Sequence, residues 1–544
     1  MSSTYAGKEP EDDAIALALA QALTQALGLA GAPPSAVIDA YLAMLRGGAC
    51  AEVSGKPAAL AQSLDPRLAT AASDNDQAPL VLKPGLQPEH SLVYLRVMDD
   101  AERKFEAYVR ELFVPRATPW KFDEQAPYLA SLRLDEGDAE PQKLKALRRL
   151  AQQRSIVLTG GPGTGKTYAL RALLWLAGIP GGIAPADIRL LAPTNRGARE
   201  MASTLQDTVM ALGTESWELE AKALLTGLPA PRTIHRALLD RDDLAKARCV
   251  VVDEASMVDL VLFSRLLEAV DRQQVSLLIV GDPDQLPSVD VGTVLADLCH
   301  PSVFFADTAI VRLAGSKRNK DKVIVALAES VCGGNPGALV DAGYCRTIDS
   351  EAILKEACDV DGPFAKIRDL AMERKDGWEI QALALTKKLR VLCSLRVGPL
   401  GAVKLSGAIM RKLGLSSAED DGCVIMVTQN DVALGVVNGE VGVVAGGRVV
   451  LADAAEGFRT LALSELPAYE LAYASTIHKA QGAEYQKVII VIPDSAKDAF
   501  LSCELLYTAI TRTKGSFVIF GDGASIRKLQ PVKRASGLAA RLRK

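Results

Sequence analysis

The stretch Ser155-Ile-Val-Leu-Thr-Gly-Gly-Pro-Gly-Thr-Gly-Lys-Thr167 decides how the rest of the chain is read. Ile156, Val157 and Leu158 form an apolar run that predicts a buried strand, and Tyr168-Ala-Leu-Arg-Ala-Leu-Leu-Trp175 has helical spacing. Between them Gly160, Gly161, Pro162, Gly163, Thr164, Gly165, Lys166 and Thr167 fit the P-loop pattern G-x-x-x-x-G-K-[ST] in the strand–loop–helix setting that it needs. Glycines let the backbone wrap a phosphate, and the amides at the helix start point at it. Lys166 is expected to reach the β- and γ-phosphates of ATP. The Thr167 hydroxyl is expected to hold Mg2+.

Working outward, Val250-Val-Val-Asp-Glu-Ala-Ser256 is an apolar strand ending in two carboxylates. Such a strand presents Asp253 at the carboxyl edge of a sheet, where phosphates lie. Asp253 is therefore expected to hold the magnesium, and Glu254 to act as general base on the attacking water. Gly281-Asp-Pro-Asp-Gln-Leu-Pro-Ser-Val289 follows another buried strand, which places Gln285 to sense the γ-phosphate. Turnover also needs positive charge from a second lobe. Leu505-Leu-Tyr-Thr-Ala-Ile-Thr-Arg-Thr-Lys514 predicts a helix with Arg512 at its end, and an arginine there can stabilise charge developing on the γ-phosphate. Arg318, in Leu313-Ala-Gly-Ser-Lys-Arg318, is a second candidate by its place in the order of motifs.

Other segments suit a polymer. Ala472-Tyr-Ala-Ser-Thr-Ile-His-Lys-Ala-Gln-Gly-Ala-Glu-Tyr485 mixes small, hydroxyl, basic and amide side chains, a set that grips a phosphodiester backbone without reading bases. Thr476 and His478 are its candidate DNA contacts. Thr194 and Asn195, after the strand Ile188-Arg-Leu-Leu-Ala192, and His235, in Thr233-Ile-His235, are the others. The net charge of −4 gives no global field to draw the protein onto nucleic acid, so any DNA binding must use a local groove. The nine cysteines include no C-x-x-C pair, which argues against zinc or iron–sulfur sites and fits a reducing cytoplasm. Residues 14–32 are apolar but broken by Gln21, Thr24 and Gln25 and preceded by Glu9, Glu11, Asp12 and Asp13. An amphipathic helix is the expectation there, not a membrane span or a signal peptide.

Strands alternate with helices up to about residue 312 and again from 471, which predicts an α/β chain with parallel sheets. The predicted organisation is an N-terminal, mainly helical interaction domain (1–115), a polar linker (116–140) and a first P-loop lobe (141–315). A second lobe takes 316–404 and 471–544, with a small inserted β-barrel at 405–470. Asn438-Gly439 is the predicted hairpin turn of that barrel.

With these blocks in order, the chain resembles superfamily 1 helicases of the 5′→3′ class, and within them the RecD family, the alpha subunits of bacterial RecBCD (exodeoxyribonuclease V) complexes. The resemblance is carried by residues 252–260 (Val-Asp-Glu-Ala-Ser-Met-Val-Asp-Leu), by 281–289 and by Val397-Gly-Pro-Leu-Gly401. Residues 430–442 (Asn-Asp-Val-Ala-Leu-Gly-Val-Val-Asn-Gly-Glu-Val-Gly), Thr476-Ile-His-Lys-Ala-Gln-Gly482 and Ala535-Ser-Gly-Leu-Ala539 belong with them. It spans residues 142–540 and is weak before that. It implies two RecA-like lobes with an SH3-like insert, and an ATP-driven motor on single-stranded DNA in double-strand break repair and recombination. It also implies Gln142 as an adenine contact and Arg318 and Arg512 as the two γ-phosphate arginines. RecB-like and RecC-like partners are implied, with the nuclease centre in a partner and the N-terminal region docking onto the RecC-like subunit. A bacterial cytoplasmic, nucleoid-associated protein follows. A standalone RecD-like helicase and an ATP-binding structural subunit that does not translocate are the alternatives. The chain departs from the family at Asn195-Arg196, where Gly-Lys is usual, and at Asn319, where an aromatic residue or Gln is usual. The short interval from His235 to Asp253 leaves little room for a hairpin found there in relatives.

Overall fold

The computed structural model describes residues 10–26, 34–45, 48–54, 64, 69–70, 78–84, 90–131, 142–314, 322–431, 433–453, 457–493, 501–531 and 536–543. They form two compact units. The first comprises Met1–Pro283, Pro287–Gly315 and Lys533–Lys544; the second comprises Asp284–Leu286 and Ser316–Val532.

The first unit is built on a six-stranded, wholly parallel sheet. Its strand order is Ile310–Leu313, Ile156–Gly160, Ser276–Gly281, Cys249–Val252, Ile188–Ala192, Arg232–Thr233. Its four central strands are buried along their whole length, which is why each reads in the sequence as a short apolar run. Helices are started by side-chain caps where the sequence supplies them. Asp259 accepts the Leu262 amide (2.8 Å) at the head of Leu260–Ala269, and Thr194 accepts the Gly197 amide (3.0 Å) at the head of Asn195–Ala211.

The N-terminal region is not simply helical. Helices Pro10–Ala26 and Ser35–Leu45 accompany a four-stranded sheet in the order Cys50–Ser54, His90–Leu95, Leu80–Pro84, Ala69–Thr70. Nor does it stand apart. Helix Arg96–Leu112 sends Phe105 and Val109 into one core with Phe263 and Leu266 of helix Leu260–Ala269, the Phe105 and Phe263 rings lying 5.4 Å apart. Residues 116–131, expected as linker, are packed as well. Arg116 lies over the Trp120 ring (3.4 Å), and Tyr128 and Leu129 are buried with Trp175 in the core behind the P-loop helix. The tail expected in the second lobe instead closes this same unit. Leu538 and Leu542 are buried in the same core as Phe105, and the Phe304 amide donates to Leu542 O (2.8 Å).

The second unit holds another all-parallel sheet, five-stranded, in the order Cys345–Arg346, Thr513–Gly521, Tyr485–Ile492, Leu389–Cys393, Ala474–Thr476. Helix Ala402–Lys412 belongs to it rather than to the insert. Ser406 Oγ donates to Ala474 O (3.0 Å) and accepts from the Ala474 amide (2.9 Å). The insert is a five-stranded antiparallel sheet in the order Gly457–Ala462, Arg448–Asp453, Val441–Ala445, Val424–Val427, Tyr469–Leu471. Its ladder is open among the described residues. Its two-residue hairpin turn falls at Gly446–Gly447, where φ is 57° and 70° and Ala445 faces Arg448, and not at Asn438–Gly439. No helix among the described residues is long and apolar enough to cross a membrane, and none of the nine cysteines forms a disulfide.

Candidate nucleotide and DNA site

Parallel strands deliver their carboxyl ends to one edge, and in the first unit that edge collects the predicted residues. Thr159 pairs with Gly281, Val252 with Ile279 and Leu191 with Val252, and the Asp253 amide donates to Leu191 O (2.9 Å). The loop Gly160–Thr167, the pair Asp253–Glu254, and Thr194 and Asn195 therefore leave neighbouring strands at the same end. His235 joins them after the edge strand, where Ala192 pairs with Thr233.

The loop is shaped by its glycines. A Cβ on Gly160 would lie 2.7 Å from both Leu313 O and Thr164 Oγ1, and Gly165 takes φ 91° as the residue that caps helix Lys166–Gly178. No side chain caps that helix, so its first amides face the hollow of the loop. Lys166 Nζ donates to Gly160 O (2.6 Å) and Gly161 O (3.1 Å), and Thr164 Oγ1 donates to Gly161 O (2.8 Å). Gln142 opens the helix Gln142–Gln152, and its Oε1 accepts the Ala314 amide (2.6 Å).

Burial, with the neighbouring Glu254 charge, pushes the Asp253 carboxyl up to about 7, while the Lys166 charge draws it down. Its Oδ1 accepts the Glu254 amide (2.9 Å). Glu254 sits in the left-handed region at φ 51°, ψ 41°, a strained place for a residue other than glycine. Hydroxyl and carboxylate oxygens are the hard donors Mg2+ takes, and a carboxyl raised by burial is one a bound cation would return to its charged form. Thr167 and Asp253 fit that ion.

In the second unit, Gln285 is buried and its neighbour Leu286 is tied down twice. The Leu286 amide donates to Thr508 Oγ1 (2.9 Å), and its carbonyl accepts from Gln481 Nε2 (3.3 Å). Thr508 lies on helix Cys503–Ile510, and Arg512 follows it, buried, with Nε donating to Thr508 O (3.1 Å) and Nη1 to Ala483 O (3.4 Å). The structure thus ties Leu286, the neighbour of Gln285, to Gln481 and, through Thr508, to Arg512. Thr476 ends the strand Ala474–Thr476, its Oγ1 accepting the Lys479 amide (3.3 Å), and His478 is exposed two residues on. Arg318 and Asn319 lie outside the described residues.

The interval between His235 and Asp253 holds the one-turn helix Arg241–Ala245 and no β-hairpin. Arg196, at the departure from the family pattern, pairs with Glu200 (3.6 Å) one turn on. Sequence reasoning passed over Lys143. This residue is 5% exposed and lies against Gly165. Its place beside Gln142 was the one signal available.

Residues 138–349 match the AAA domain family, and residues 471–519 match the UvrD-like helicase C-terminal domain. The RecBCD enzyme subunit RecD of Mycolicibacterium smegmatis is 36% identical over 443 residues, 76% of this chain and 76% of that one. The chain belongs to the RecD family. It is accordingly an ATP-dependent DNA helicase, with the α/β fold of parallel sheets expected of RecA-like lobes. The ATP-dependent RecD2 DNA helicase of Deinococcus radiodurans is 29% identical to this RecD-family chain over 462 residues, 83% of this chain and 58% of its own. The crystal structure of Pif1 helicase from Candida albicans aligns with 72% of the chain and 96% of its own length at 15% identity, with a TM-score of 0.41.

Proposed function

We propose that this RecD-family chain is the 5′→3′ motor subunit of a RecBCD-type helicase–nuclease, translocating on single-stranded DNA to open duplexes at double-strand breaks. The observation that carries this reading is the single sheet edge that gathers Lys166, Thr167, Asp253, Glu254, Thr194, Asn195 and His235. One end of that edge has the chemistry of a nucleotide site, and the other has hydroxyl, amide and imidazole groups suited to phosphodiesters.

In this reading Gln142 contacts adenine, and the amides of Gly160–Thr167 hold the phosphates. Lys166 leaves its loop carbonyls for the β- and γ-phosphates. Thr167 and Asp253 would hold Mg2+, which would supply positive charge beside the phosphate oxygens. Glu254 takes the proton of the attacking water. Gln285, Arg318 and Arg512 answer the presence or loss of the γ-phosphate. Because Leu286 and Arg512 are bonded to the same helix, a change felt at Gln285 is passed to the arginine and, through Gln481, to the segment bearing Thr476 and His478. The missing hairpin weakens strand separation while leaving translocation intact.

Two further readings belong here. The open sheet over 424–471 is an SH3-like insert. The N-terminal unit docks onto a RecC-like partner, with Ile15, Leu17 and Leu19 leaving apolar side chains at the surface of its first helix. RecB-like and RecC-like subunits complete the complex, and the nuclease centre lies in one of them. The setting is the bacterial cytoplasm, at the nucleoid. A standalone helicase is favoured less, because the RecD subunit is 36% identical to this chain and RecD2 29%. A purely structural ATP-binding role predicts no stimulation of ATP turnover by single-stranded DNA.

The test is strand displacement on partial duplexes carrying a 5′ or a 3′ overhang. Wild type should open the 5′-tailed substrate, and Lys166→Ala should open neither. Equal activity of the two proteins would remove the motor assignment, and preference for the 3′ tail would reverse the polarity.

A further inference from the structure

We propose that the tail motif Ser536-Gly537-Leu538 and Asp297 are positioning residues for ATP hydrolysis, which hold helix Val294–Leu298 against the turn after Glu254 and so link turnover to the N-terminal region. The inference rests on the reading of Asp253 and Glu254 as the hydrolytic pair.

Residues 287–293 lead into helix Val294–Leu298, and that short helix packs on the turn Ala255–Met257, directly after Glu254. Leu295 fills the angle between the turn and the end of strand Ser276–Gly281. A Cβ built on Gly281 would lie 2.7 Å from Leu295 Cδ2, 3.1 Å from the Ala255 nitrogen and 3.3 Å from the Ser256 nitrogen. Strand end, turn and Leu295 leave no spare volume between them, and close-packed groups transmit a displacement instead of absorbing it.

The other side of this segment is held by groups far along the chain. Val291 packs with Cys50, Leu92 and Tyr94 of the N-terminal sheet, and its carbonyl accepts the Leu260 amide (3.1 Å). Asp297 accepts from Thr293 Oγ1 (3.0 Å) and is bonded to Ser536. Ser536 Oγ donates to Glu102 Oε1 (3.1 Å), which also accepts the Gly537 amide (3.2 Å). Ser536 thereby joins Asp297, on the helix behind the turn, to Glu102, on helix Arg96–Leu112. Leu538 and Leu542 are buried in one core with Ala255, Leu295 and Leu298. Gly537 permits the fit, because a Cβ there would strike Tyr94 Oη and lie 3.1 Å from Glu102 Oε2. Buried polar contacts fix a single arrangement where apolar contact alone tolerates several. The tail motif, which the nucleotide and DNA readings leave unused, has its role in that arrangement.

The test uses the full-length protein, with ATP turnover at saturating single-stranded DNA measured beside ADP affinity, well below the melting temperature of each variant. Gly537→Ala drives a methyl into Tyr94 Oη, and Asp297→Ala cuts the helix from Ser536. Each should lower kcat by about tenfold, within the roughly 10²-fold that a misplaced catalytic group can cost. ADP affinity and KM for ATP should stay within about twofold of wild type, the mark of a loss felt only in the transition state. Tyr94→Phe removes the oxygen that the methyl strikes, so adding it to Gly537→Ala should regain most of the lost turnover; no recovery would overturn the inference. A tail that serves stability alone would lower the melting temperature and leave kcat of the folded variants unchanged, which would also overturn it. So would a parallel fall in turnover and ADP affinity, the sign of a collapsed nucleotide loop. Glu254→Gln separates the two readings. Full turnover in Glu254→Gln would remove the hydrolytic pair and this inference with it. Turnover lost in Glu254→Gln but kept in Gly537→Ala and Asp297→Ala would overturn this inference alone. If Gly537→Ala fails to fold, Ser536→Ala, which deletes only the hydroxyl between Asp297 and Glu102, gives the same comparison.

Discussion

Glu254→Gln should lower DNA-stimulated ATP turnover by about 10²–10⁴-fold, the range that a positioned general base contributes, and should leave ADP affinity close to wild type. Gln keeps the size and shape of Glu, so the loop around it has no reason to move. It cannot take a proton from water. The backbone argues for a chemical role over a structural one. Glu254 is one of two residues other than glycine with positive φ among the described residues, and its carbonyl still accepts the Met257 amide (3.1 Å) while its own amide is held by Asp253 Oδ1 (2.9 Å). A conformation that costs about 1–3 kcal/mol persists only where its surroundings over-determine it, and such places cluster at active sites. The measurement is steady-state ATP turnover at saturating single-stranded DNA, with nucleotide affinity determined in parallel. Turnover within about tenfold of wild type would mean that water is activated by another group, and Glu254 would lose its role. A large loss of ADP affinity would point to a collapsed loop in place of a missing base.

What could be read in the sequence was what buried parallel strands write there. Ile156–Leu158, Ile188–Ala192, Cys249–Val252, Leu277–Gly281 and Leu389–Cys393 are runs of apolar residues because both faces of those strands are covered. The candidate site residues follow shortly after the first four of them. The rest was hidden for physical reasons. The N-terminal sheet is made of strands of two to six residues spread over a long stretch, too short to impose a period. Trp120, Tyr128 and Leu129 sit among polar residues and prolines, and only their neighbours in space make them core. Asn438-Gly439 carries a stronger turn signal than Gly446-Gly447, but the pairing of Val441–Ala445 with Arg448–Asp453 puts the tight turn at the second pair. Lys143 looked like any helix-surface lysine until the loop it faces was in place. The tail's Arg541 gave no sign in the sequence, because its partners Glu102 and Asp99 lie more than 400 residues away.

That tail yields the second large effect. Arg541→Ala should cost about 3–5 kcal/mol in the first unit, the usual penalty for breaking a buried ion pair from one side. Glu102 has no exposed surface, and Asp99 is 2% exposed. Glu102 accepts from Tyr94 Oη (2.8 Å), Ser536 Oγ (3.1 Å), the Gly537 amide (3.2 Å) and Arg541 Nε (3.0 Å), while Arg541 also pairs with Asp99. Without the guanidinium Glu102 loses its cation in the interior, and Asp99 is left with Arg103 (3.4 Å). The variant should melt several degrees below wild type, since each kcal/mol moves the midpoint of a domain this large by roughly 2 °C. The pH dependence has a definite sign. Burial raises the Glu102 carboxyl and the Arg541 charge lowers it, so removing Arg541 raises it further. A carboxyl raised in the folded state binds its proton more tightly there than in the unfolded chain, so its stabilising share is present at low pH and is lost as pH rises through the folded value. The deficit of Arg541→Ala should therefore be smaller in mildly acidic than in mildly alkaline buffer. Glu102→Gln combined with Arg541→Met should recover part of the loss, because no unpaired charge is left at Glu102. A melting point for Arg541→Ala within about 1 °C of wild type would show that the tail is not what holds helix Arg96–Leu112 against the first unit's core. Greater loss in acid than in alkali would show that the carboxylates, not the arginine, had been the costly partners.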